Sequence, residues 1–147
     1  FRAGWWGKAS PSHFFWGSFD LAVTRFSGRT APDHGGGLPN MPLLVAQEAY
    51  SHEVCSAGFW PGSRDVPEPI FYAYAYPSPE GLEQEKVGPE GASWSTELGE
   101  FVLPYEAVRS APDPDGALKT CLEDTFTESA GLGNWDRPAG RRHFPAA

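Results

Sequence analysis

The segment with the most evident chemistry is EAYSHE, residues 48–53, in which a carboxylate, a phenol and an imidazole recur at every second position. In an extended strand this spacing places Glu48, Tyr50 and His52 on one face. An imidazole exchanges protons near neutral pH and a neighbouring carboxylate can orient it, so the group suits general acid–base catalysis. We therefore predict these three residues as catalytic, with His52 as the general base of a hydrolase. The structural alternative is a hydrogen-bonded or solvated pair of His52 and Glu48 on a half-exposed strand.

A stripe of tyrosines offers a surface for a ligand. The segment Ile70–Tyr76 alternates phenols with Phe71 and two alanines, which predicts a strand with Tyr72, Tyr74 and Tyr76 on one face. If this strand lies beside the EAYSHE strand, the two sets of side chains converge. We predict ligand-binding roles for Tyr72, Tyr74 and Trp60, and the alternative for Trp60 is an aromatic plug at the end of the sheet.

Arginine and metal chemistry are less sharply indicated. Arg25, in the segment TRFSGR, is predicted to bind an anionic group of the ligand, and an ion pair with a local acid is the alternative. The local acids considered for it are Asp20, Glu53 and Glu100. Imidazole and carboxylate ligands for a divalent metal come from His13, Asp20, His52 and either Glu48 or Glu53. Because their spacing matches no diagnostic motif, no residue is assigned to a metal, and a bound divalent cation stays an open alternative.

The overall composition excludes several classes of function. The 147 residues carry a formal net charge of −8, and nucleic-acid binding requires clustered Lys and Arg. No apolar run approaches the ~18 residues of a membrane span, and no signal peptide opens the chain, so a cytoplasmic protein is expected. Because the chain begins with Phe1 rather than Met, processing or truncation is also expected.

The elements that must position these residues are strands and one main helix. Besides the two strands above, residues 13–28 and 99–103 have strand patterns, and the Gly17–Ser18 pair is read as a bulge or bend. Residues 29–42 form a glycine-rich loop, either mobile or a lid. A helix over residues 114–130 starts from Asp113 as N-cap, and residues 134–147 form a loosely held tail.

These elements predict a single α+β domain over residues 1–147. Its antiparallel sheet has about four or five strands, and the C-terminal helix packs on the face with the small side chains. An all-β fold with one appended helix is the alternative. Cys55 on a strand and Cys121 on the helix suit two buried thiols, although a disulfide between them stays open.

Four blocks of the sequence, HFFWGSFDLAVTRFSGR, EAYSHEVCSAGFWPG, FYAYAYPSPEGL and LGEFVLPYEAVRSAPDPDGAL, occur in this order. Together they resemble the C-terminal half of a bacterial family of unknown function. The resemblance implies a further N-terminal region in other members, and no catalytic assignment. If that region normally covers the tyrosine face, self-association into a homodimer is the simplest way to bury the face here.

Two classes of function follow from these observations. The first is a small-molecule-binding protein or enzyme, a hydrolase if it is catalytic, with a pocket of histidine, glutamate and tyrosine side chains. The second is a structural or interaction module that uses the aromatic face of the sheet as an interface. A concave site with a perturbed titratable group favours the first class, and a large flat buried surface favours the second.

Overall fold

The computed structural model describes residues 1–2, 5, 7–38, 41–64 and 66–136. Its main feature is one antiparallel sheet with the strand order β1-β2-β3-β4-β6-β5. The strands are β1 (His13–Phe15), β2 (Asp20–Thr30), β3 (His52–Trp60), β4 (Ile70–Tyr76), β5 (Ser93–Ser95) and β6 (Glu100–Pro104). The helices are α1 (Leu43–Ala49), α2 (Tyr105–Arg109), α3 (Pro114–Leu132) and a short 3₁₀ helix, Leu82–Gln84. No helix among these residues is long and apolar enough to cross a membrane.

The predicted α+β fold, with an antiparallel sheet and a main C-terminal helix, is confirmed. The sheet has six strands rather than four or five, for two reasons. Residues 16–19 form a turn that divides the first predicted strand into the hairpin of β1 and β2. In addition, Ser93–Ser95, for which the sequence pattern predicts no strand, pair with β6 as the edge strand β5.

The predicted strand that begins with EAYSHE starts later in the structure than the sequence pattern indicates. Leu43–Ala49 forms helix α1, Tyr50 is its C-cap residue, and β3 starts only at His52. The segment LLVAQEA consists mainly of residues with good helix propensity, and Pro42 stands directly before it, where a proline is well tolerated. The helix propensity of this segment therefore decides the structure of Glu48 and Tyr50, and the alternating pattern that predicts a strand there is not followed.

The two faces of the sheet differ in the side chains of β4. Ser56 of β3 pairs with Tyr74 of β4, and Ala57 pairs with Ala73, so the phenols of β4 project to one side and its alanines to the other. We call this side the tyrosine face; its central residues are Ala22, Thr24, Ser56, Gly58, Tyr72, Tyr74 and Tyr76. The other side, the helix face, includes Arg25, Cys55, Ala57, Ala73 and Leu103.

Helix α3 packs on the helix face, as the small side chains predict. Cys55 is buried against Phe126 and Ala130 of the helix, and Cys121 of the helix is buried against Leu103. Both cysteines are free thiols. Burial raises the pKa of the Cys55 thiol to about 12 and that of Cys121 to about 11, so both are protonated, unreactive side chains of the core.

The start and end of α3 are fixed locally. The Asp113 side chain accepts a hydrogen bond from the Gly116 backbone N–H at 3.0 Å, and Pro114 occupies the first helical position. After the helix ends at Leu132, the ring of Trp135 packs on Phe126 with the centroids 5.8 Å apart. The first part of the predicted tail is therefore anchored to the helix, while residues 137–147 lie outside the described part.

Candidate functional site

Tyr72 lies at the centre of the tyrosine face and reaches across β3. Its hydroxyl donates a hydrogen bond to Oδ1 of Asp20, 2.8 Å away, at the start of β2. The ring passes over Gly58, where a Cβ atom would lie 2.5 Å from the Tyr72 hydroxyl. Glycine is therefore required at position 58, because any side chain there would displace the phenol from the carboxylate.

Tyr74 continues the polar network along the same face. Its hydroxyl lies 3.0 Å from the hydroxyl of Tyr50, and its ring stacks on that of Tyr72 with the centroids 6.2 Å apart. Beside it, the hydroxyls of Thr24 and Ser56 are 2.9 Å apart. The face thus carries several hydroxyl groups among aromatic rings, an arrangement that can both stack on a ligand and hydrogen-bond to it.

The glycine-rich loop covers one end of this face. His34 stacks on Tyr50 with the ring centroids 4.9 Å apart, and its ring is tilted against that of Tyr76 at 5.1 Å. The Tyr76 hydroxyl donates a hydrogen bond to the Pro32 carbonyl oxygen at 3.0 Å. The described part of the loop is therefore packed against the tyrosines, as the lid alternative for this segment requires.

Two carboxyl groups give the site its electrostatic character. Burial, reinforced by the charge of Asp20, raises the pKa of Glu100, at the start of β6, to about 7. Burial also raises the pKa of Asp20, against the opposing effect of its hydrogen bond from Tyr72. Desolvation raises the pKa of Tyr72, reinforced by Asp20, and that of Tyr74, reinforced by Tyr50, so both phenols stay protonated. Glu100 therefore exchanges a proton near neutral pH within the electrostatic influence of Asp20.

The predicted catalytic residues do not form one cluster. Tyr50 joins the tyrosine face through Tyr74, but Glu48 lies exposed on α1. The Nδ1 atom of His52 is 3.2 Å from Oγ of Ser51, not from a carboxylate. His52 is the first residue of β3 and pairs with Thr30 of β2, two residues before Val54, the residue of β3 that pairs with Tyr76. The premise that Glu48, Tyr50 and His52 share a strand is therefore wrong.

The predicted ligand-binding residues divide between the two faces. Tyr72 and Tyr74 lie at the centre of the tyrosine face, and Trp60 lies at its end, paired with Ile70. Arg25 projects from the opposite, helix face and is only 2% exposed. Its geometry places it outside the tyrosine site.

Arg25 is instead part of the core. Its guanidinium makes two hydrogen bonds to the Glu123 carboxylate of α3, at 3.0 and 2.7 Å, and donates to the Phe1 carbonyl oxygen. The rings of Phe1 and Phe126 lie 3.7 and 4.4 Å from its central carbon. The alternative of an ion pair holds for Arg25, although its partner is none of the three local acids considered from the sequence. One of those acids, Glu53, pairs with Arg29 at 2.7 Å.

The sequence pattern does not indicate that two carboxylates share the tyrosine face. It points to Asp20 only as a candidate metal ligand or partner of Arg25, and to Glu100 only as such a partner. The available signal was position: each is an acidic residue at the first position of a strand, in the same alternation as polar residues of the tyrosine face. Among the described residues, no group of three or more His, Cys, Asp or Glu side chains is arranged to hold a metal ion.

The fold and site together define an α+β protein with an antiparallel sheet, whose tyrosine face carries a pair of carboxylates. The chain belongs to a family of unknown function, DUF5996, whose sequence pattern matches residues 1–142. The resemblance seen in the sequence is thereby confirmed. The family pattern covers nearly the whole chain, residues 1–142, and is not limited to a C-terminal half. No curated protein and no solved structure is similar enough to this chain to be matched with it.

Proposed function

We propose that this protein binds a small molecule on the tyrosine face and that Glu100 and Asp20 act there as an acid–base pair. The observation that carries the proposal is the pKa of Glu100, about 7, beside the Asp20 carboxylate. Neighbouring titratable groups whose environments give them different roles are typical of active sites. The hydrogen bond from Tyr72 to Asp20 supports the role of Asp20 as a fixed carboxylate.

The chemistry of the site limits the reaction and the ligand. A carboxyl group with a pKa near the working pH is suited to general acid–base catalysis, and hydrolysis needs no further cofactor. Two carboxylates repel an anion, and the half-buried ring of Tyr74, which stacks on the buried ring of Tyr72, offers a surface for a flat or cyclic group. We therefore assign the site to a neutral or cationic ring-containing molecule and the reaction, if one is catalysed, to hydrolysis.

The proposal is tested by ligand screening at several pH values. A library of neutral and cationic ring compounds is screened by thermal shift, and hits are titrated by calorimetry between about pH 5 and pH 9. Because Glu100 has a pKa of about 7, affinity for a cationic hit should rise through that pH as the carboxylate forms. The Glu100→Gln variant should remove this pH dependence and weaken binding about tenfold or more, the loss of a charge-assisted hydrogen bond.

Glu97→Gln is the matched control, because Glu97 is an exposed glutamate in the turn that precedes β6. It should bind hits with the affinity of the unmodified chain. The Tyr72→Phe variant should weaken binding while leaving the fold intact. Equal affinity of the Glu100→Gln and Glu97→Gln variants at every pH would contradict the acid–base role of Glu100.

An interaction module is the second candidate, and one observation favours it. The hairpin of β1 and β2 exposes a cluster of aromatic rings that pack edge-to-face on one another, namely Phe14, Trp16 and Phe19. Their exposed fractions are 47%, 78% and 58%, although exposed aromatic clusters of this kind normally occur at interfaces. A homodimer that buries this hairpin is the simplest assembly.

Sedimentation velocity at micromolar concentrations checks the homodimer. We expect a species with the mass of two chains, and we expect Trp16→Ser to convert it to one chain. Leu44→Ser, at an exposed position of α1, serves as the control and should leave the mass unchanged. A single-chain mass for the unmodified protein throughout the concentration range would exclude this assembly.

A further inference from the structure

An apolar cavity lies on the helix face, on the other side of the sheet from the tyrosines. It is open to solvent on one side, has a volume of about 160 Å³ and lies between the sheet and α3. Among its walls are the following side chains of the sheet and the helix: Leu21, Val23, Phe59, Phe71, Leu118 and Leu122. Ser12 is the polar side chain on its wall among the described residues. The cavity is thus almost wholly hydrocarbon.

The size and the lining define what such a cavity can hold. An apolar cavity of about 150 Å³ in another protein stays free of water and binds benzene, because water finds too few hydrogen-bond partners there. Atoms that line an empty cavity also lack dispersion contacts on one side, and an apolar occupant restores them. The present volume of about 160 Å³ is therefore sufficient for one six-membered aromatic ring or a short branched alkyl group.

The surroundings of the opening are also apolar. Leu21 lines the cavity, is 46% exposed and pairs across the hairpin with Phe14 of β1. Phe14 in turn contacts the rings of Trp16 and Phe19. Phe19 has a φ of +57°, a conformation that is strained for a bulky side chain, and strain of this kind is frequent at functional sites. Leu21 and the aromatic rings of the hairpin thus extend the apolar surface of the cavity on this side.

We propose that this cavity is a binding site for a benzene-sized apolar group of a neutral small molecule. The proposal does not depend on the function of the tyrosine face, because the cavity lies against α3 and shares with that face only Ala22 and Gly58 of the intervening strands, and none of its phenols or carboxylates. The ligand class follows from the hydrocarbon lining and the volume, and a charged group inside the cavity would be desolvated without a partner.

The test uses benzene and toluene as probes. Methyl-labelled protein is titrated with each probe to the limit of its solubility and followed by NMR. We expect saturable shifts at the methyl groups of Leu21, Val23, Leu118 and Leu122. A crystal exposed to pressurised xenon should show an atom in the same cavity.

Two variants fill the cavity from opposite walls. Ala57→Leu adds bulk from the sheet, and Leu118→Phe adds it from the helix, so one remains informative if the other fails to fold. Each should weaken benzene binding at least tenfold. Leu44→Phe, at a position of α1 that is 71% exposed, adds similar bulk elsewhere and should leave binding unchanged.

Three results would overturn the proposal. These are the absence of saturable shifts in the unmodified protein, equal binding by the filled variants, and shifts spread over the surface instead of the cavity methyl groups. If a second copy of the chain covers the opening, benzene binding will strengthen when the protein is diluted. That fourth result would also reject the cavity as a ligand site of the assembled protein.

Discussion

Replacing Glu100 with glutamine is expected to stabilise the protein at about pH 8 by up to about 3 kcal/mol, and to change its stability little at about pH 4. The reason is the burial of a carboxyl group beside Asp20, which raises its pKa from 4.5 in the unfolded chain to about 7 in the folded one. The folded protein must therefore hold a charge that it accommodates poorly once Glu100 ionises. A neutral glutamine of the same shape avoids this penalty.

The sign and the pH range follow from proton linkage. Between pH 4.5 and about 7 the folded state binds a proton at Glu100 that the unfolded state has released, so the free energy of unfolding falls as the pH rises. Each pKa unit corresponds to about 1.4 kcal/mol, which sets the upper limit of about 3 kcal/mol for the whole range. Above about pH 7 both states are ionised at this position and the contribution becomes constant.

Urea unfolding of three proteins at about pH 4, 6 and 8 measures the effect. The unmodified chain should lose stability relative to Glu100→Gln as the pH rises, and the difference should level off at the highest pH. Glu97→Gln removes a glutamate of the exposed turn before β6 and should follow the unmodified chain. Parallel pH curves for Glu100→Gln and Glu97→Gln would show that Glu100 is not buried as described.

The second large effect concerns the ion pair of the buried Arg25 with Glu123, whose side chain is 31% exposed. Replacing Glu123 with leucine should lower the free energy of unfolding by about 3 kcal/mol, because the guanidinium loses its counter-ion in a desolvated position. Arg25 is only 2% exposed, and its remaining partners are the Phe1 carbonyl oxygen and aromatic rings. These contacts satisfy some of its donors but do not neutralise its charge.

The ion pair of Glu106 and Arg109 provides a matched control on the surface. Its side chains are 67% and 61% exposed, and Glu106→Leu should cost no more than about 0.5 kcal/mol. The double variant Arg25→Met/Glu123→Leu should recover much of the loss, since it removes the charge and its partner together. Equal unfolding free energies for Glu123→Leu and Glu106→Leu would show that burial adds nothing to this pair.

The parts of the fold that the sequence predicted are those in which the local pattern has one interpretation. In Ile70–Tyr76 the phenols alternate with alanines, so the two faces of β4 differ sharply and the strand limits agree with the structure. Helix α3 carries its own start signal in Asp113 and Pro114. Neither element depends on distant residues for its definition.

The errors arose where local signals were ambiguous or missing. Glu48 and Tyr50 alternate with small residues by chance, and the helix propensity of the preceding segment decides their structure. The turn at residues 16–19 includes Trp16 and Phe19, although Phe19 adopts a positive φ that favours glycine or asparagine. No composition rule predicts a phenylalanine in that position.

The candidate site depends on the order of the strands in the sheet. The alternating pattern within one segment does not predict that order. Tyr72 and Tyr74 were predicted to bind a ligand, but their partners Asp20 and Glu100 come from strands on either side of the β3–β4 pair. Likewise, Arg25 meets Glu123 only because α3 returns across the helix face. Such contacts join residues far apart in the chain, so they become visible only when the complete sheet is assembled.

The two edges of the sheet, β1 and β5, are strands of only three residues each. β1 covers only the first residues of the outer side of β2. Further along β2, the segment before β1 takes its place: the backbone N–H of Ser10 donates to the Thr24 carbonyl oxygen, and that of Phe26 donates to the Lys8 carbonyl oxygen. Within the described residues, an incoming peptide therefore finds no long row of free backbone groups at either margin. Because fibril growth by strand addition needs such a template, this architecture should resist templated aggregation even though the hairpin displays aromatic rings.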